Sequence, residues 1–204
     1  MKKFELTNEF ITNMFGTKLF RIRALVEFGD VEAGELGGYV EKESNLGHDD
    51  NAWVYDNAWV YGDAQVSGDA LVYGNARVYG NAWVYGDAQV SGDALVSGNA
   101  RVYGNARVCG NARVYGDARV CGNGDYAYAH GFGSVNRTTT FFRLKDGGVG
   151  VRCGCFYGTL AQFRDKIRET HGESAIAEEY LDLAALMEKR FRRTGNEQKT
   201  EEES

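Results

Sequence analysis

Residues 51–122 read NAWVYD NAWVYG DAQVSG DALVYG NARVYG NAWVYG DAQVSG DALVSG NARVYG NARVCG NARVYG DARVCG, twelve tandem hexads of the form (Asn/Asp)-Ala-x-Val-(Tyr/Ser/Cys)-Gly. Ala stands at 52 and at every sixth position to 118, and Val at 54 and at every sixth position to 120. Gly closes each hexad except the first, where Asp56 stands. Side chains alternate faces along a strand, so Ala and Val point one way while x and Tyr point the other. The Gly-Asn or Gly-Asp pair supplies the backbone freedom for a sharp corner. So short a strand is not stable alone and must stack on copies of itself. A solenoid lined by Ala and Val is predicted.

The composition of the 204-residue chain follows from this run. Eleven of the 27 glycines share one phase, and Pro, absent altogether, would remove a rung hydrogen bond wherever it stood in a stacked ladder. With 43% hydrophobic and 13% aromatic residues, the chain is neither collagen-like nor a flexible Gly-rich linker. Its net charge of −6 argues against a general nucleic-acid binder or an anionic-membrane binder. No stretch approaches the ~18 apolar residues of a spanning helix. At the start, MKKFELTNEFITNMFG has a basic tip, but Glu5, Asn8 and Glu9 interrupt any signal-peptide core. Cysteines at 109, 121, 153 and 155 form no disulfide framework. A cytoplasmic protein with reduced thiols is expected.

The hexads resemble those of the hexapeptide-repeat left-handed parallel β-helix, whose prism interior takes an aliphatic residue and a small residue four positions later. Val54 and Ala58, Val60 and Ala64, and each later pair match that rule. The resemblance implies three hexads per coil, hence four regular coils, and self-association with a trimer favoured. The run LFRIRAL…GELGGYVEKESNL before the hexads is similar to hexad-solenoid proteins of phages and prophages, in the style of the YdcK-like β-solenoid group. The stretch CGCFYGTLAQFRDKIRETHG resembles a module attached to such proteins. No catalytic motif is carried by the resemblance.

The expected fold is therefore mainly β: a left-handed parallel β-helix with an N-terminal β-hairpin cap and a small C-terminal α+β unit. The boundaries are 1–36 for the cap, 37–133 for the solenoid, 134–193 for the α+β unit and 194–204 for a disordered tail. Degenerate rungs are expected at Gly38/Val40 and Ser44/Leu46, with two extra residues around His48-Asp49-Asp50. Further rungs are expected at Gly124/Tyr126 and His130/Phe132. KKFEL and KLFRIRAL form the N-terminal hairpin. TTTFFRL and VGVRCGCF flank the turn Lys145-Asp146-Gly147-Gly148. Thr159 caps a helix carrying Leu160, Phe163 and Ile167 on one face, and Tyr180, Leu183, Met187 and Phe191 mark a second.

Residues 58–81 and 82–105 differ only at Tyr73 against Ser97. That unit is four hexads, so the second copy is turned by one wall relative to the first.

Three function classes are compatible with such a solenoid. The resemblance includes acyltransferases, which need a catalytic His on the prism wall and a site at a subunit seam, but residues 51–122 contain no His and no insertion. A carbonic-anhydrase relative needs three His on neighbouring coils. Cys153-Gly154-Cys155 supplies only two metal ligands, and two cysteines facing a small core are the simpler reading. Cys109 and Cys121 replace Tyr on different walls. No catalytic residue, metal site or cofactor is assigned, and the lean is away from an enzyme.

A filament-forming structural protein is the third class. Leading them is a non-catalytic interaction and assembly module, of a kind a phage would use to bind a host protein or a nucleotide signal. Seven of the twelve post-Val sites are Tyr, and the other outward column opens with Trp53 and Trp59 and ends with Arg. Arg101, Arg107, Arg113 and Arg119, with Tyr103 and Tyr115, form the expected binding girdle, for a protein or a small anionic ligand. Tyr, Trp and Arg are enriched at binding hot spots. The competing reading is a solvated face with Tyr chosen for its strand preference.

Overall fold

The computed structural model describes residues 2–133 and 135–202, with the backbone alone for 195–202. Strands β1 (Phe4–Thr12) and β2 (Lys18–Ala24) form the expected antiparallel hairpin, pairing Phe4 with Ala24 and Thr12 with Lys18. Strand β3 (Leu36–Val40) joins the edge of β2 and is also the first rung of the solenoid. Twelve two-residue strands follow, β4 (Trp53–Val54) to β15 (Arg119–Val120), each the x-Val pair of one hexad. They stack in parallel with an 18-residue register, Trp53 opposite Leu71 and Val54 opposite Val72. Three hexads therefore make one turn.

The stacking yields three walls. Wall one runs β3-β5-β8-β11-β14, wall two β4-β7-β10-β13, and wall three β6-β9-β12-β15. Every hexad Ala and Val is at most 1% exposed. The register from Val40 to Val60 and from Leu46 to Val66 is 20, which places the two extra residues between Leu46 and the first hexad. At the corners, Asn Nδ2 groups donate one coil onward, Asn75 to Asp93 at 3.1 Å and Asn99 to Asp117 at 3.1 Å.

All wall N–H groups donate in one direction, from Trp53 to the Ala70 carbonyl and from Tyr55 to the Val72 carbonyl. One end of the stack is thus left with carbonyls and the other with N–H groups, and each end is closed by side chains of opposite character. At the first coil, Lys3 Nζ donates to the Asp50 and Ala52 carbonyls at 2.5 and 2.9 Å. Asn45 Nδ2 donates to the carbonyls of Gly62 and Ala64. At the last coil, Asn123 Oδ1 accepts from Arg107 N, Thr140 Oγ1 from Arg113 N, and Asp125 Oδ2 from Cys121 N and Gly122 N. Lys3, Asn45, Asp125 and Thr140 are all at most 3% exposed.

Burial pushes the Lys3 ammonium down to about 8 from the usual 10.5, against the pull of Asp50, Asp49 and Asp69. Between pH 8 and 10.5 the folded chain sheds a proton that the unfolded chain keeps, so stability rises with pH in that window. The neutral amine still has donors for the two carbonyls. Above that window the sign reverses, because burial holds the Tyr61 and Tyr103 hydroxyls protonated in the fold. Urea titrations are expected to show the folding free energy climbing by about 2 kcal/mol from pH 8 to 10. Lys3→Met should flatten that climb, and an unchanged pH slope in the variant would refute the assignment.

The C-terminal unit departs from the expected stack. Strand β16 (Tyr126–Phe132) does not continue the rungs but pairs antiparallel with β17 (Arg137–Arg143), in a sheet completed by β18 (Val149–Cys153) and β19 (Phe156–Thr159). Of the two bulky residues predicted inside, Tyr126 does close the core at 8% exposure, whereas Phe132 is 37% exposed. A long strand with its own antiparallel partner leaves no corner glycine in phase, and the coil stops.

Helix α1 (Leu160–His171) starts at Thr159, where Gln162 N donates to Thr159 Oγ1 and Thr159 N donates to Gln162 Oε1. Helix α2 (Ala175–Glu202) buries the stripe Tyr180, Leu183, Met187 and Phe191. It continues to Glu202. Residues 203 and 204 lie outside the described residues. No helix among the described residues is long and apolar enough to cross a membrane.

Candidate functional site

The three walls sort the outward residues into columns spaced by 18. Arg101 and Arg119 pair directly on wall three, whereas Arg107 lies on wall two and Arg113 on wall one. The four arginines therefore do not converge. Tyr103 shares wall three with Arg101, and Tyr115 lies on wall one beside Arg113. Three of the six expected binding residues are brought together and three are dispersed.

Wall three carries the most exposed tryptophan of the hexads. The Arg101 guanidinium lies 5.0 Å from the centroid of the Trp83 ring one coil earlier, and Trp83 is 41% exposed. Tyr85 and Tyr103 stack in parallel with ring centres 5.2 Å apart. Arg119 Nη1 folds back to the carbonyls of Asn99 and Ala118. Wall one repeats the arrangement nearer the first coil, with the Arg77 guanidinium 4.2 Å from the Trp59 centroid and Tyr61 stacked on Tyr79 at 5.0 Å. Trp53 and Tyr115, by contrast, are covered. Trp53, expected on the outside, is fully buried because the cap folds over it, with Phe28 at 5.3 Å and Phe4 at 6.2 Å. Tyr115 is covered at the other end by Tyr157, edge-on at 5.0 Å, and by Arg152. A second exposed apolar feature is the hairpin tip, where Met14 and Phe15 are 87% and 78% exposed.

The C-terminal unit holds a cavity of about 250 Å³ between α1, the β18–β19 turn and the start of α2. Cys153 and Cys155 were expected on one strand, facing a core. Instead Gly154, with φ of 59°, turns the chain between them, leaving Cys155 exposed and Cys153 half-buried, and both line the cavity. Thr139 Oγ1 donates to Cys153 Sγ at 3.2 Å. Burial, with Cys153 alongside, pushes the Tyr180 hydroxyl up to about 12. No group of three metal-ligating side chains is found among the described residues.

The sequence reading missed this cavity. Its lining comes from Val135, Arg137, the 153–156 turn, α1 and Tyr180, segments with no common period. The one local signal was Gly154: a Cβ there would collide with the Arg137 guanidinium, which lies across the turn.

A family model described as the YdcK β-solenoid repeat matches residues 64–75, 70–86, 88–104, 96–110, 100–114 and 106–122. Together with the stacked parallel walls, this settles the class. The chain is a β-solenoid repeat protein. All the matched segments fall within the hexads of the solenoid and none within its hairpin cap or its C-terminal unit. A search of curated proteins returns no match.

Proposed function

We propose that this β-solenoid is a non-catalytic interaction module that presents wall three to a macromolecular partner, either another protein or further copies of itself in a small oligomer. The observation carrying the reading is the double ladder on that wall, where Trp83, 41% exposed and so more open than Trp59 in the matching ladder of wall one, lies under Arg101 beside the stacked Tyr85 and Tyr103. These are rigid, amphipathic side chains of the types that dominate binding energy. They stand on regular rungs, so little conformational entropy is lost when a partner docks. The absence of His from the hexads removes the base that the acyltransferase reading needs on the wall.

The test is chemical cross-linking in extract of the native host, comparing the wild type with Trp83→Ser/Arg101→Ser/Tyr103→Ser. The variant should lose the cross-linked species while its melting temperature changes little, since exposed cross-rung pairs contribute only ~0.2–1 kcal/mol each. Sedimentation of the purified protein separates self-association from a foreign partner. An unchanged cross-linking pattern in the triple variant overturns the reading.

A further inference from the structure

We infer that the cavity of the C-terminal unit is a binding site for a small amphipathic anion, an apolar chain or ring ended by a carboxylate or a phosphate. This site is separate from wall three and does not depend on the proposed interaction.

The lining divides by chemistry. Phe156, Phe163 and Ile167 form an apolar floor, and Phe163 and Ile167 are at most 4% exposed. Arg137, Lys166 and His171 stand around it, and no Asp or Glu contributes to the lining. Arg137 forms no ion pair among the described residues. Its side chain lies across the Gly154 turn, in space that a Cβ at that position would take. Lys166 contacts Glu169 at 2.9 Å in an exposed i,i+3 pair. Such pairs are weak enough for a ligand acid to displace.

An apolar floor beside the unpaired Arg137 guanidinium favours a ligand with both characters. The apolar part leaves water against the phenyl rings, and the acid meets a planar guanidinium able to hold carboxylate or phosphate with two hydrogen bonds. A neutral or cationic ligand gains only the first term. At about 250 Å³ the cavity is below the ~300–1,000 Å³ typical of drug-sized ligands, so the occupant is small.

The probes are hexanoate, hexyl phosphate, hexanol and hexylammonium, titrated into the full chain by calorimetry and by ligand-observed NMR. At least one anion should bind saturably at one site, with hexanol and hexylammonium weaker by roughly tenfold or more. The two anions distinguish a carboxylate from a phosphate site. Arg137→Gln/Lys166→Gln should weaken anion binding by roughly tenfold without altering the fold, because both residues are exposed. Thr170→Trp, at the rim, should block every probe while leaving the charges in place. Equal binding of the neutral and anionic probes, no saturable anion binding at about 10 mM, or full affinity in the double glutamine variant would each overturn the inference.

Discussion

Gly68→Val is expected to destabilise the solenoid by about 3–5 kcal/mol. Gly68 adopts φ of 68°, a region where a β-branched residue is strained. A Cβ there would lie 2.8 Å from the Gly86 nitrogen in the next coil, and that atom is backbone. Both coils must move apart to admit it, which weakens the rung bonds on either side. Because each coil touches only its neighbours, the damage is delivered where no distant contact compensates.

The size of the effect depends on the chemistry of the replacement, and Asp56 shows how. It is the one hexad corner without Gly, it adopts φ of 53°, and its Oδ2 accepts from the Gly74 N–H at 3.0 Å. Glu41 does the same for Gly62 N at 2.6 Å. A carboxylate at this corner satisfies the amide that a valine would press against. Gly68→Asp should therefore cost less than half as much as Gly68→Val in urea denaturation followed by far-ultraviolet circular dichroism. Equal losses for the two variants would show that strain, not the amide, sets the cost.

Asp125→Ala is expected to cost about 3–5 kcal/mol by removing the closure of the last coil. The carboxylate is 2% exposed and accepts from two backbone N–H groups of the final corner. Its own carbonyl accepts from Arg143 N at 2.8 Å, and the Arg143 Nε lies 3.8 Å from the carboxylate. Arg143 in turn donates to the Phe191 carbonyl and to Thr194 Oγ1 on α2. Truncation leaves two buried donors without their acceptor and a largely buried guanidinium without its counter-charge. Asp125→Asn keeps an acceptor oxygen but loses the charge, so it should fall between wild type and alanine. Hydrogen exchange should report the loss first at the last coil and in β17. If Asp125→Ala melts like the wild type, the closing role assigned to this carboxylate is wrong.

The middle of the molecule was legible because one short-range rule repeats. Ala and Val every sixth residue fix which side chains face inward, and the corner glycines fix where the chain turns. Even the two-residue insertion near His48 showed as a phase shift. What the repeat concealed was which wall each outward residue occupies. Arg107 and Arg113 are close to Arg101 in sequence but face different directions, whereas Arg119, eighteen residues away, is its neighbour.

The ends were harder to read because their logic is polar and non-periodic. Nothing around Lys3 or Asp125 distinguishes them from surface charges until the direction of the rung hydrogen bonds is known. In the C-terminal unit, α1 and its Thr159 cap follow from local rules, but the cavity needs residues 135 to 180 assembled in space. Reading VGVRCGCF as one strand passed over Gly154, whose positive φ divides it into two.

Because a turn takes three hexads, the number of hexads sets the orientation of everything that follows them. Inserting one hexad advances the C-terminal unit by a third of a turn about the axis; inserting three returns it to the same bearing one rung spacing further along. The near-identical blocks 58–81 and 82–105 each contain four hexads, so gaining or losing such a block combines both movements, a step along the axis and a swing onto the adjacent wall. Repeat number is thus an angular setting as well as a length, and two chains differing by one block would present the hairpin tip and the C-terminal cavity at different relative bearings with every core contact unchanged.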